Sequence, residues 1–288
     1  MNLQNIISEI EKADPEVFEK LDTRRKVMKG FANLSGKIAL ASLPLAVGSM
    51  FSKAYGQSTS TITDVLQFAL TLEYLEAEFY TTGLASSGLI VEDANGTRTA
   101  ISTISAHETE HVNFLKTVIT SLGVTPISKP TFDFSGGNGS GTGPFAGAFS
   151  NIDLFLAVAQ VLEDTGVRAY KGQAPNLMSN NTVLTAALNI HSVEARHASR
   201  IRKLRKDRNS AAVSGTLKPW ITLNDSNIIA PYNSYVTANY AGEENTTQSN
   251  VSIVNIGGKS ISANAASEAF DEPLTKEQIL AIVDPFIV

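Results

Sequence analysis

The sequence predicts an all-α protein: a four-helix bundle with a long crossover between its second and third helices, followed by an irregular C-terminal extension. Three observations predict it. Four segments carry apolar residues three and four positions apart, the period of a helix that buries one face. A Gly-rich link, "FSGGNGSGTGPFAG", lies between the second and third segments. Carboxylates and imidazoles recur along the four segments in one order, twice.

The first helix is expected from about Ile62 to Thr82, with Thr61 and Asp64 as a cap-like start and Gly83 as a stop. Leu66 and Leu70 share a stripe with Glu73 and Ala77, beside Phe68, Leu72, Leu75 and Phe79. The second runs from about Thr99 to Leu122 and ends at Gly123 and Pro126. The third runs from about Ile152 to Lys171, capped by Asn151 and stopped by Gly172. The fourth runs from about Thr182 to Arg208. The link, 124–150, has no periodicity and exceeds what neighbouring antiparallel helices need. A bundle that joins two helical hairpins by one long crossover accounts for it.

Two regions flank the bundle, which is expected over 59–208. Residues 1–58 have the parts of an export signal in order: the basic stretch "TRRKVMKG", the apolar run Ile38 to Phe51, then Lys53 and "AYGQS". The apolar run has 14 residues and contains Pro44, whereas a membrane span needs roughly 20. The Arg24-Arg25 pair resembles a twin-arginine signal, so a periplasmic or extracellular protein with no membrane span after cleavage is expected. Residues 209–288 are rich in Ser, Asn and Thr, with the β-prone piece "VSIVNI" (251–256) and a last amphipathic piece, "TKEQILAIV". They are expected to pack on the bundle.

Composition narrows the chemistry. Of 288 residues, 43% are hydrophobic, enough for a real core, and the net charge of −5 supplies no reason to expect nucleic acid as a partner. There is no cysteine, so thiolate metal sites and disulfides are excluded and any transition metal must be held by imidazole and carboxylate.

All four histidines lie in "HETEH" (107–111) and "HSVEARH" (191–197). His107 and His111 alone could suggest a zinc pair at i, i+4, and His-Glu-x-x-His spacing a zinc protease. The second segment, with its histidines six apart, shares only Glu-x-x-His. The repeat is wider than that. Glu73 is followed seven residues later by Tyr80, then by Glu108 and His111; Glu163 is followed seven residues later by Tyr170, then by Glu194 and His197. The glutamates stand 35 and 31 residues apart in the two halves. Three residues place Glu and His on nearly one helix face, and seven bring the tyrosine back to the glutamate stripe. Buried carboxylates among apolar stripes need compensation. Four carboxylates and two neutral imidazoles around two divalent ions come to zero net charge.

Glu on each of two helices and Glu-x-x-His on each of the other two resembles the di-iron or di-manganese site of the ferritin-like superfamily. The resemblance covers residues 62–208. The stretch "ALTLEYLEAEFYTTGL" is similar to exported bacterial ferritin-like domain proteins related to desiccation-associated proteins. The resemblance implies Glu73, Glu108, His111, Glu163, Glu194 and His197 as ligands of two iron or manganese ions, with Glu108 and Glu194 as bridges. Tyr80 and Tyr170 would donate hydrogen bonds to carboxylates. It implies redox chemistry on oxygen, peroxide or ferrous iron (a ferroxidase, peroxidase-like or manganese catalase-like activity) in stress protection. The alternative is a structural or protective protein with a vestigial or stabilising site. Metal ions and small oxygen species are the expected partners, and a homodimer is compatible with the family.

Other polar residues divide as follows. Glu76, one turn after Glu73, reads equally as an extra ligand and as a supporting acid. His107 reads as a bystander about 100° from Glu108. His191 shares the Glu194 face at another height. Glu78 and Glu110 read as solvated, and "RIRKLRKDR" (200–208) as an exposed basic helix end that suits the helix dipole.

Overall fold

A computed structural model describes residues 59–288; the export signal expected at 1–58 lies outside the described residues. Four long helices form the bundle: α1 (Thr59–Ala85), α2 (Thr97–Ser121), α3 (Ile152–Gln173) and α4 (Asn181–Asp207). They pack pairwise, α1 with α2 and α3 with α4. No described helix is long and apolar enough to cross a membrane.

Local chemistry explains most boundaries. Asn151 caps α3 by accepting from the amides of Asp153 and Leu154, and Asn180 caps α4 by accepting from Val183. The start of α2 is held from outside: Asp93 Oδ1 accepts from the Thr97 amide at 3.1 Å and Glu92 Oε2 from that of Thr99 at 2.8 Å. Two glycines expected as stops are not stops. The α1 helix runs through Gly83 to Ala85, and α3 runs through Gly172 to Gln173. A Cβ at Gly83 would overlap the Phe155 ring, and one at Gly172 the Leu274 carbonyl. These glycines serve close approach, which spacing along one helix does not reveal.

The crossover is ordered by one carboxylate. Asp133 Oδ1 accepts from the Ser135 amide at 3.0 Å, and Oδ2 from the amides of Gly139 and Gly141 at 2.9 and 3.0 Å. Hydrogen bonds from Ser135 and these amides hold its pKa down at about 2. The last residues zip onto the same segment: the Asp133 amide donates to the Phe286 carbonyl and the Val288 amide to that of Thr131, each at 2.9 Å.

The extension contains short elements: α5 (Thr237–Tyr240), a hairpin of β1 (Thr247–Gln248) and β2 (Val251–Ser252), α6 (Ala263–Ser267) and α7 (Lys276–Val283). Of the β-prone piece only Val251–Ser252 is strand. The final amphipathic piece is α7, and Thr275 and Gln278 close a capping box at its start.

Between the bundle and this extension α3 is enclosed: every residue from Leu154 to Tyr170 is buried. Its outer face is polar, and the extension satisfies it. Gln160 Nε2 donates to the Ser226 carbonyl at 2.9 Å, Tyr240 donates to Asp164 at 2.8 Å, and Asn239 donates to Thr165 at 2.8 Å. Arg168 donates to the carbonyls of Glu272 and Ala241 at 2.7 and 2.6 Å and pairs with Glu243 at 2.8 Å.

The same surface corrects the reading of 200–208 as an exposed basic end. Lys203 and Lys206 are exposed, but Arg202 and Arg205 are fully buried. Arg202 makes a two-pronged pair with Asp164, and Arg205 donates to the carbonyls of Ala212 and Asn227, both at 3.0 Å, and to Gln160. A guanidinium survives burial where carboxylates and carbonyls meet its fork. Those partners come from α3 and the extension, far away in sequence.

Candidate metal centre

Glu73, Glu108, Glu163 and Glu194 are completely buried, and His111 and His197 nearly so. Six residues from four helices thus meet at mid-bundle. They form two groups, Glu73–Glu108–His111–Glu194 and Glu108–Glu163–Glu194–His197, whose donor atoms lie within 4.8 Å of one another in each group. Glu108 and Glu194 belong to both groups, the position a bridging carboxylate needs. His111 Nδ1 stands 3.1 Å from Glu73, 3.0 Å from Glu108 and 3.1 Å from Glu194. His197 Nδ1 stands 2.7 Å from Glu108 and 3.3 Å from Glu163.

Proximity does not become full hydrogen bonding. Glu108 Oε1, Glu163 Oε2, both oxygens of Glu194 and His197 Nδ1 are buried without a hydrogen-bond partner. The 2.7 Å between His197 and Glu108 is close but misaligned for a hydrogen bond. Buried polar atoms left unpaired are costly. Here they converge on one space and have the hard oxygen and imidazole character that iron or manganese accepts, so the residues fit such ions.

The electrostatics agree. Burial, reinforced by Glu194, pushes Glu73 up to about 8. Burial also raises Glu163 well above the carboxylate range, although His197 opposes it. Burial opposes charge on His197, but Glu163 and the surrounding carboxylates drive it up to about 12; His111 is raised as well by its three carboxylates, against its burial. Glu194, whose burial would raise it, is instead held at about 2 by both imidazoles. The cluster is starved of positive charge, the condition that bound cations relieve.

The tyrosines cross over. Tyr80 of α1 donates to Glu163 Oε1 of α3, and Tyr170 of α3 donates to Glu73 Oε1 of α1. Each occupies one carboxylate oxygen and leaves the other facing the centre.

Of the remaining residues, Glu76 is buried but belongs to neither group. Burial and four neighbouring glutamates raise its pKa well above the usual range. It faces Gly166, where a Cβ would stand 3.3 Å from its Oε1 and 3.5 Å from Glu194 Oε2. The repeat carried a signal for this arrangement: the position three after the carboxylate is Glu76 on α1 and Gly166 on α3. His191 turns away, its Nδ1 3.0 Å from the Val167 carbonyl. Glu110 is exposed, and Glu78 pairs with Lys129.

His107 is not the bystander expected. Its Nδ1 lies 2.9 Å from His197 Nε2, on the ring edge opposite the carboxylates, with the rings 16° from parallel. It pins the orientation of a candidate ligand from another helix. Its partner is 90 residues away in sequence, so no spacing signal exposes it.

Comparison with known proteins adds a family match. The model of a family described as ferritin-like domain matches residues 61–207, which span all four helices up to the last residue of α4. No curated protein matches the chain.

Proposed function

The chain belongs to the ferritin-like domain family, and from that premise we propose that it is a two-metal carboxylate protein, holding iron or manganese, that performs redox chemistry on dioxygen, peroxide or ferrous iron. The observation that carries the reading is the convergence of five buried, unpartnered donor atoms on one space shared by two ligand groups. Glu73 and His111 would hold one ion and Glu163 and His197 the other, with Glu108 and Glu194 bridging. Glu76, in neither ligand group, would remain a supporting acid beside them. Tyr80 and Tyr170 keep the terminal carboxylates turned so that one oxygen of each points inward. The chemistry supplied by such a pair of ions, when bound, is paired two-electron exchange with an oxygen species.

Metal analysis of the purified protein, with anomalous scattering at the iron and manganese edges, tests the ligand set. Two ions are expected, and Glu108→Ala combined with His111→Ala should empty at least one position. Full occupancy in that variant would refute the assignment. Consumption of dioxygen or peroxide by the loaded protein supports the redox reading; bound metal without turnover replaces it by the structural, protective one.

Residues 1–58 are proposed to export the chain by the twin-arginine route, already folded and loaded. The order of basic, apolar and small-residue parts supports this. The test compares metal content after native export with that of a form redirected through an unfolded-chain route. Equal content would sink the idea.

A further inference from the structure

The candidate ligands are not equally sealed. Glu73, Glu108, Glu163 and Glu194 are 0% exposed, whereas His111 is 9% and His197 4% exposed. What remains open to solvent therefore lies on the histidine side, between α2 and α4.

The packing closes the other approaches. Toward the C-terminal end of α1, Phe79 and Phe155 stack with centroids 4.6 Å apart, and Tyr80 stands edge-on to Phe79 at 5.6 Å. Toward the other end, Ala69, Leu115 and Ile190, each one turn from a candidate ligand, present hydrocarbon and are buried. Across α1 lies the crossover: Gln67 Nε2 donates to the Thr125 carbonyl and its Oε1 accepts from the Ile127 amide, each at 2.8 Å. Across α3 lies the extension, which leaves Leu154 to Tyr170 buried. A hydrated ion entering the aromatic or hydrocarbon layers would lose its solvation without replacement. The seam between α2 and α4 is different. His107 of α2 meets His197 of α4 there through Nδ1 at 2.9 Å. His107 is exposed, and its Nε2 has no hydrogen-bond partner among the described residues.

His107 also stands at one end of an open groove of ≈ 530 Å³ on the outward face of α2. The groove runs from Glu92 past Thr99, Ser102, Thr103 and Ala106 to His107. Arg98 borders it as well, with a guanidinium nitrogen tied to the Ile90 carbonyl at 2.7 Å. A divalent ion carrying six waters fills about 180 Å³ at the volume a water takes in the liquid, so the groove admits it whole. Hydroxyl, carboxylate and imidazole groups are donors that such an ion accepts in place of water. The two histidines of "HETEH" thus face opposite ways: His111 into the centre and His107 into the groove.

We propose that this groove is the docking site from which hydrated divalent cations, Fe²⁺ or Mn²⁺, reach the centre, with His107 as their first imidazole contact and the seam beside His197 as the way in. The inference rests on the two-metal reading and adds the point of entry. It assigns the groove a role in the rate of loading, not in the final affinity, because none of the groove residues belongs to either ligand group.

Charge placed in the groove tests this. Ala106 is exposed, so Ala106→Glu and Ala106→Lys should both fold. Metal-free protein is mixed with Mn²⁺, and uptake is followed by loss of the free-ion EPR signal. Uptake should be fastest in Ala106→Glu and slowest in Ala106→Lys, with the native protein between. For an ion passing about 7 Å from the new charge the spread should be about fivefold at physiological salt. It should close at about 1 M salt, where the screening length falls to about 3 Å. Final occupancy of both positions should be the same in all three proteins. Thr117→Glu and Thr117→Lys are the controls. Thr117 is exposed on the same face of α2, eleven residues on, hence about 16 Å away and beyond the screening length of about 8 Å. Equal rates in the three Ala106 proteins, or an equal spread from the Thr117 pair, would overturn the proposal. Two filled positions loaded at a rate blind to residue 106 remove the entry site and leave the two-metal reading intact. A centre that stays empty at saturating Mn²⁺ removes both.

Discussion

His107→Ala should weaken one of the two metal positions and spare the other. The His197 ring is gripped on two edges: Nδ1 faces Glu108 and Glu163, and Nε2 meets His107 at 2.9 Å. Removing a group that orients a ligating histidine costs about 10- to 100-fold in metal affinity, or roughly 1.4–2.8 kcal/mol. His107 is exposed, so truncation leaves no cavity, and the loss of its bond to His197 should cost about 0.5–1.5 kcal/mol of folding stability. The His111 side has no such contact to lose, because its Nδ1 is surrounded by Glu73, Glu108 and Glu194. Titration of metal-free protein with Mn²⁺ against a competing chelator should therefore show one site weakened and one nearly unchanged. Anomalous occupancy should identify the weakened one as that of His197. His191→Ala is the control, since its bond goes to the Val167 carbonyl. Equal loss at both positions, no loss at either, or a matching effect from His191→Ala would refute the reasoning.

Asp164→Asn should destabilise the fold by about 3–5 kcal/mol, because it strands the buried Arg202; that is a fall in Tm of about 10 °C in a chain of this size. Asp164→Leu combined with Arg202→Leu should recover most of the loss in the same thermal melts. Saturating Mn²⁺ or Fe²⁺ at 100 times its Kd should stabilise the protein by about 2.7 kcal/mol per site, read as a Tm rise that chelator reverses and that Glu108→Ala abolishes. The Asp133 carboxyl has a folded pKa of about 2, below its ordinary 3.8. Its contribution is fully present above pH 3.8 and lost as pH falls through 2. Hydrogen exchange of 134–144 should thus be slower in wild type than in Asp133→Asn at pH 5, with the difference closing toward pH 2. A constant difference would disprove the role of the charge.

Much of the fold was legible because helices are written locally. The Asn151 cap, the four helical segments and the final amphipathic piece depend on residues a few positions apart and stand where periodicity and capping chemistry place them, but α1 begins at Thr59, so Thr61 and Asp64, expected as its cap-like start, lie inside the helix. The candidate ligands were legible for the same reason. Glu-x-x-His fixes two side chains on one face of one helix, and the second copy, in the same order, separated the pattern from chance. Gly83 and Gly172 misled because a glycine that ends a helix and one that lets a neighbour approach look alike in sequence.

Local spacing in the sequence picked out the residues of the candidate centre and how they are phased along each helix. The tertiary structure decided how they pair between helices. It sent Tyr80 to Glu163 and Tyr170 to Glu73, set His107 against His197, and buried Arg202 and Arg205 under the extension. The physical reason is one of range. Backbone periodicity sets angles within a helix at 100° per residue. Which faces meet across the bundle depends on the packing of every side chain between the axes, and no spacing in the sequence encodes that sum.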